Sequence, residues 1–278
     1  MNKKIFTLRL FLLLAALATA AISAAAARID SLSYVSPLLP RPMAVKVVVP
    51  DNLSGPAPVV YMLNGYDGDC NQWLGNTPEL PSYSDRYGMI FVLPSGMDAW
   101  YVDSPVQKNM KMKSFILDEL IPAIDEHYPT DPDRRAITGL SMGGHGALTL
   151  AMDHPELFKA AGSTSGGVDL RPFAKRWNLE KVMGSPEANP EFWEGVSAAS
   201  RVKGLKERAP ELKIIFDCGI DDFFAPVNEQ LHKAMLEEGV PHDYISRPGR
   251  HAHSYWRNAI KYHLVFFDSV FKAQGASK

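Results

Sequence analysis

The chain has 278 residues, 46% of them apolar and 22% charged, an ordinary balance for a globular protein with a sizeable core. Its 29 basic and 31 acidic residues leave a net charge of -2, which argues against a nucleic-acid binder and the basic face it would carry.

Residues 1–27 combine a basic start, an apolar stretch from Leu8 to Leu17 and small residues after it, the anatomy of a secretory leader. Ala25-x-Ala27 offers a cleavage site ahead of Arg28, and Ala18-x-Ala20 offers another. A retained anchor would need about 20 apolar residues, and alanines dominate the second half of this segment. No later apolar run is long enough to span a bilayer, so no stable membrane insertion is expected once the leader is removed. Residues 28–278 are expected to form a single domain.

Short apolar runs then alternate with helical patterns. Ala44–Pro50, Pro58–Leu63, Met89–Pro94, Arg135–Leu140, Lys159–Thr164 and Leu212–Gly219 read as strands, several apolar at successive positions as in strands buried on both faces. Met112, Phe115, Ile116, Leu120 and Ile124 recur at helical spacing, with Pro122 inside the pattern expected to kink or end that helix. Two later helices follow, APVNEQLHKAMLEEGV, stopping near Gly239, and SYWRNAIKYHLVFFDSVF. This alternation predicts an α/β fold with a mostly parallel sheet and helices on both faces. Residues 171–209, rich in Pro, Trp, Glu and Gly, break the rhythm and read as a small insertion over one end of the sheet.

Within ITGLSMGGHGALTLAM, Gly139, Ser141 and Gly143 fit G-x-S-x-G. That pattern alone is weak. Its confirmation is a strand before it and a helix after it, and both flanks read that way here. The turn would expose the Ser141 hydroxyl at the carboxyl end of the sheet. A serine hydroxyl needs a base to take its proton and a group to orient that base. In elbows of this type the acid and then the histidine follow along the chain. His127 precedes the serine, and His145, on the helix after it, reads as a packing residue. His154 closes a helix, His232 and His263 fall within amphipathic helices, and His242 opens the strand HDYISRP. The loop RPGRHAHSYW remains, with His251 and His253 both open as the base. Alternate residues of an extended loop project to one side, so spacing does not choose between them.

IIFDCGIDDFFAPVNEQ offers the acid: Asp221 and Asp222 lie beyond the strand end, Asp217 within it. The oxyanion hole calls for the N–H of Met142 and a second one from the loop Asn64-Gly65-Tyr66, where Tyr66 is the candidate. Cys70 and Cys218 could be bridged or free, since export permits a disulfide without requiring one. They lie far apart in sequence, and no histidine cluster has metal-ligand spacing, so neither metal nor organic cofactor is expected.

The motifs VVYMLNGYDG, WYVDSP, DELIPAIDEHYP, RAITGLSMGGHGAL, DCGIDDFF and RPGRHAHSYWRNAIKYHLVFF span nearly the whole of residues 43–271. Together they resemble the esterase D group of α/β-hydrolases, which includes S-formylglutathione hydrolases, tributyrin-type and feruloyl esterases and mycolyltransferases. The resemblance implies the α/β-hydrolase fold with Ser141 as nucleophile. The family pattern CGxxDxF falls on Asp222, with Asp221 as the alternative. Many members end in P-G-G-H followed five residues later by Trp and then Arg-Asn, which places the base at His251 with Trp256, Arg257 and Asn258 in register. Other branches read His-Ser-aromatic-aromatic, which His253 fits, but the ungapped match to His251 is longer. One departure stands out: members often have His before the oxyanion-loop glycine, and this chain has Asn64.

The expectation is an exported serine carboxylesterase, periplasmic or secreted, acting on a small-molecule or polysaccharide-linked ester. Short-chain acyl esters or carbohydrate-linked acetyl or feruloyl esters are the expected class. An acyltransferase on the same triad is the alternative. A non-catalytic envelope- or carbohydrate-binding protein of the same fold is the reading from another class.

Overall fold

The computed structural model describes residues 27–275. The expected leader, residues 1–27, therefore lies outside the described residues except for Ala27. Eight strands form one sheet: β1 (Arg28–Tyr34), β2 (Met43–Val49), β3 (Ala57–Leu63), β4 (Ile90–Pro94), β5 (Thr130–Gly139), β6 (Ala160–Thr164), β7 (Lys213–Gly219) and β8 (Asp243–Arg247). Their spatial order is β1-β2-β4-β3-β5-β6-β7-β8. The β1–β2 and β2–β4 pairs are antiparallel, and β4 through β8 run parallel.

The central strands are buried on both faces, which is why they read as unbroken apolar runs. Along β3, Val59, Tyr61 and Leu63 enter one core while Val60 and Met62 enter the other, as the two-residue strand period requires. The first core lies under helix α1 (residues 112–127), helix α2 (Met142–Asp153), helix α3 (Ala225–Glu237) and the insertion. The second lies under helix α4 (His253–Gly275) and two short helices after β3. Every residue of α2 from Met142 to Met152 is buried, so the segment after Ser141 runs through the middle of the molecule.

Two features differ from the expectations. The strand β1, RIDSLSY, carries only two aliphatic side chains; half exposed at the sheet margin, it pairs in register with β2 without needing an apolar run. Pro122 does not end its helix. The stretch Phe115–Leu120 is wound as a π-helix and the Ile121 N–H reaches back to Ile116 O. The wider turn just before the proline absorbs the ring that lacks an N–H. Among the described residues, no helix is long and apolar enough to cross a membrane. Residues 171–209 form the insertion as expected, a chain of short helical turns including Leu179–Met183, Pro190–Gly195 and Leu205–Arg208. Cys70 and Cys218 are both buried and both free.

Candidate active site

The parallel strands deliver their carboxyl ends to one edge of the sheet, and four loops meet there. Ser141 follows β5 and opens α2 at φ 55° and ψ −115°, a backbone conformation that side-chain-bearing residues rarely adopt. The chain can double back so sharply because its flanks are glycines. A Cβ on Gly139 would sit 2.3 Å from the Gly143 carbonyl carbon, and one on Gly143 would sit 2.3 Å from Leu63 O. The Ser141 N–H donates to Thr164 O at 3.0 Å, fastening the strained turn to the neighbouring strand.

The acid and histidine loops are stitched to each other. Ile220 N–H donates to Arg247 O and Asp221 N–H to Gly249 O, both at 3.0 Å, and Gly219 packs directly on Gly249. That stitching sets Asp222 opposite His251. The buried Asp222 carboxylate accepts from His251 Nδ1 at 2.9 Å and from the Phe224 N–H at 2.9 Å. His251 Nε2 lies 2.9 Å from Ser141 Oγ. A carboxylate at Nδ1 keeps the proton there and leaves the Nε2 lone pair to accept from the serine hydroxyl. The histidine is the most open of the three, with 16% of its side chain exposed.

Asp221 is exposed and contributes its backbone to the stitching rather than its carboxylate to the histidine. His253 is also exposed. The loop is not extended through it: His253 starts α4, and its ring packs edge-on against Trp256 with centroids 5.1 Å apart. Both rings meet Trp256, but among the described residues it is His251 that hydrogen-bonds to Ser141 and Asp222, a distinction sequence alternation could not reveal. His145 is wholly buried, with Nδ1 2.9 Å from Trp100 O and Nε2 2.9 Å from Val196 O, so it braces the site's walls and does not reach the serine. Asp217, set aside as lying within a strand, pairs on the other face of the sheet with His263 at 2.8 Å, whose second nitrogen meets Thr138 Oγ1 at 2.8 Å. This second acid–histidine pair is sealed in the core.

Neither the Met142 N–H nor the Tyr66 N–H donates a backbone hydrogen bond among the described residues. Both belong to segments that border Ser141. The walls are aromatic. Phe223, 42% exposed, stacks 5.3 Å from Trp177, and its ring centroid is 4.3 Å from that of His251. Trp177 also packs against Trp100 at 6.1 Å, and Asn178 Nδ2 donates to Tyr66 Oη at 2.6 Å. The insertion thereby crosses from the histidine side to the Tyr66 side. This strut was missing from the sequence reading, because no local pattern links Asn178 to a residue 112 positions away.

The sequence model of the Esterase family matches residues 36–267. The chain belongs to the Esterase family. This esterase is 27% identical over 229 residues to an S-formylglutathione hydrolase of Bos taurus, covering 73% of this chain and 79% of that one. It is 26% identical over 222 residues to an acetyl esterase of Caldicellulosiruptor saccharolyticus, covering 72% and 79%. Among solved structures it is similar to a ferulic acid esterase, with a TM-score of 0.75 and 25% identity over 88% of this chain and 98% of that one. The fold is that of the α/β-hydrolases, and the protein is an enzyme of the serine-hydrolase kind that hydrolyses carboxylic esters.

Proposed function

We propose that Ser141, His251 and Asp222 form a catalytic triad that hydrolyses carboxylic esters through an acyl-enzyme. The contact chain from Asp222 through His251 to Ser141, at 2.9 Å in each step, carries this reading. His251 takes the hydroxyl proton as Ser141 Oγ attacks the ester carbonyl. The N–H groups of Met142 and Tyr66 hold the oxyanion of the tetrahedral intermediate. The imidazolium, steadied by Asp222, then gives its proton to the leaving alcohol. Water enters, is deprotonated by the same histidine, and releases the acid. Similarity to an acetyl esterase and to a ferulic acid esterase, together with the aromatic walls, supports short-chain acyl or carbohydrate-linked acetyl and feruloyl esters as the substrate class. The leader-like N-terminus supports export to the periplasm or beyond.

The test is hydrolysis of p-nitrophenyl acetate, butyrate and ferulate combined with fluorophosphonate labelling. The wild type should turn over at least one ester and label at Ser141. Ser141→Ala should lose labelling and fall on the order of 10⁴–10⁶-fold in kcat. A wild-type protein that neither labels nor hydrolyses would make this a non-catalytic member of its fold. Acyl transfer to added glycerol outpacing hydrolysis would make it a transferase on the same triad.

A further inference from the structure

The Asn64 side chain, where relatives often carry histidine, is committed at every polar atom. It is 1% exposed. Its Oδ1 accepts from the Gly96 N–H at 2.7 Å and from Tyr101 Oη at 3.0 Å. Its Nδ2 donates to Gly65 O at 2.7 Å. The amide cannot be turned round, because the Gly96 N–H demands an acceptor and the Gly65 carbonyl demands a donor.

The Gly65 carbonyl belongs to the same peptide unit as the Tyr66 N–H. Among the described residues no peptide bond is cis, so that C=O and that N–H point in opposite directions. Drawing the carbonyl inward onto Asn64 turns the N–H outward. The neighbouring N–H groups of the loop are all occupied. Gly65 N–H donates to Gln72 Oε1 at 2.7 Å, Asp67 N–H to Asp98 Oδ1 at 2.6 Å, and Gly68 N–H to Gly65 O at 3.2 Å. Of four consecutive amides, that of Tyr66 alone has no acceptor among the described residues. Gly65 has no Cβ to resist rotation of this peptide, so the orientation has to be imposed from outside.

We infer that Asn64 is a positioning residue that locks the Gly65–Tyr66 peptide with its N–H facing the reacting carbonyl, keeping the oxyanion hole formed before substrate arrives. The inference rests on the triad reading. Without the Nδ2 donor the Gly65 carbonyl keeps only the longer bond from the Gly68 N–H, at 3.2 Å, and a peptide that turned would present a carbonyl oxygen where the hole needs a donor.

The experiment compares Asn64→Ala with Tyr101→Phe. Both remove a buried hydrogen bond of this cluster, but Tyr101→Phe leaves the Nδ2–Gly65 bond in place. Asn64→Ala should lower kcat roughly 100- to 1000-fold with KM within about threefold, the cost of one missing oxyanion donor. Its affinity for an alkyl boronic acid, whose tetrahedral serine adduct places an oxygen in the hole, should fall by a similar factor. Tyr101→Phe should stay within about tenfold of wild type in kcat while losing comparable thermal stability. Asn64→His restores one ring N–H donor and should recover most of the lost kcat. The inference is overturned if Asn64→Ala and Tyr101→Phe lose kcat equally, or if Asn64→Ala keeps wild-type boronate affinity. Asn64→Leu substitutes should the alanine variant not fold, and failure of both to fold would assign Asn64 a structural role instead. Wild-type turnover in the same assays tests the triad reading, whereas the variant-to-wild-type ratio tests the lock.

Discussion

His145 should make the stability of this protein fall in mild acid. The ring is fully buried, and burial is the largest influence on it, pushing its pKa down from 6.5 to about 4. The carbonyls of Val196 and Trp100 pull the other way, since a protonated ring could donate to both, but they do not offset the desolvation. In the unfolded chain the ring titrates near 6.5. Between about pH 6.5 and 4 the unfolded state therefore binds a proton that the folded state refuses. The stability associated with the neutral ring is complete above the unfolded value and drains away as the pH falls towards the folded one. A separation from 6.5 to about 4 corresponds to about 3 kcal/mol at 1.36 kcal/mol per pKa unit. Urea unfolding of wild type and His145→Gln, followed from pH 7.5 to 4, isolates this residue from the other titrating groups. The advantage of histidine over glutamine should shrink by about 3 kcal/mol across that range. A difference that stays constant, or grows in acid because the charged ring serves both carbonyls, would refute the reasoning.

The two candidate bases should separate clearly: His251→Ala should lose several orders of magnitude in kcat/KM on p-nitrophenyl esters. His253→Ala, exposed and packed on Trp256, should stay within about threefold, as surface changes usually do. Asp222→Asn should lower kcat on the order of 10⁴-fold by releasing the histidine tautomer, whereas Asp221→Asn, whose backbone does the work, should leave it nearly unchanged. Asp217→Ala should destabilise the fold by about 3–5 kcal/mol, because it removes the buried carboxylate that faces His263, the Thr164 hydroxyl and Arg247. Chemical denaturation measures that cost, and the folded variant should still label at Ser141.

Much of the architecture was legible because burial leaves a local trace. A strand covered on both faces is apolar at successive positions, so β3 and β4 announce themselves. A strained turn between strand and helix must carry small residues, so Gly139, Ser141 and Gly143 do as well. The edge strand β1 left no such trace, since one of its faces meets solvent. The π-turn before Pro122 was equally silent, because a proline in a helical pattern is compatible with a stop, a kink or an altered winding.

The site shows the same division. The sequence by itself determined the fold class, the serine in its elbow and the order in which acid and base must follow, because each depends on residues adjacent along the chain. The family pattern already favoured His251 over His253 and Asp222 over Asp221; the tertiary structure adds that His251 and Asp222 are in hydrogen-bond contact with each other, and His251 with Ser141. It also set apart the sealed Asp217–His263 pair, brought Asn178 to Tyr66, and turned the Asn64 amide onto the Gly65 carbonyl. Apart from the adjacent Asn64 and Gly65, these are meetings of polar groups far apart along the chain. Their partners are decided by how the carboxyl ends of β3, β5, β7 and β8 converge, a long-range geometry that no local periodicity encodes.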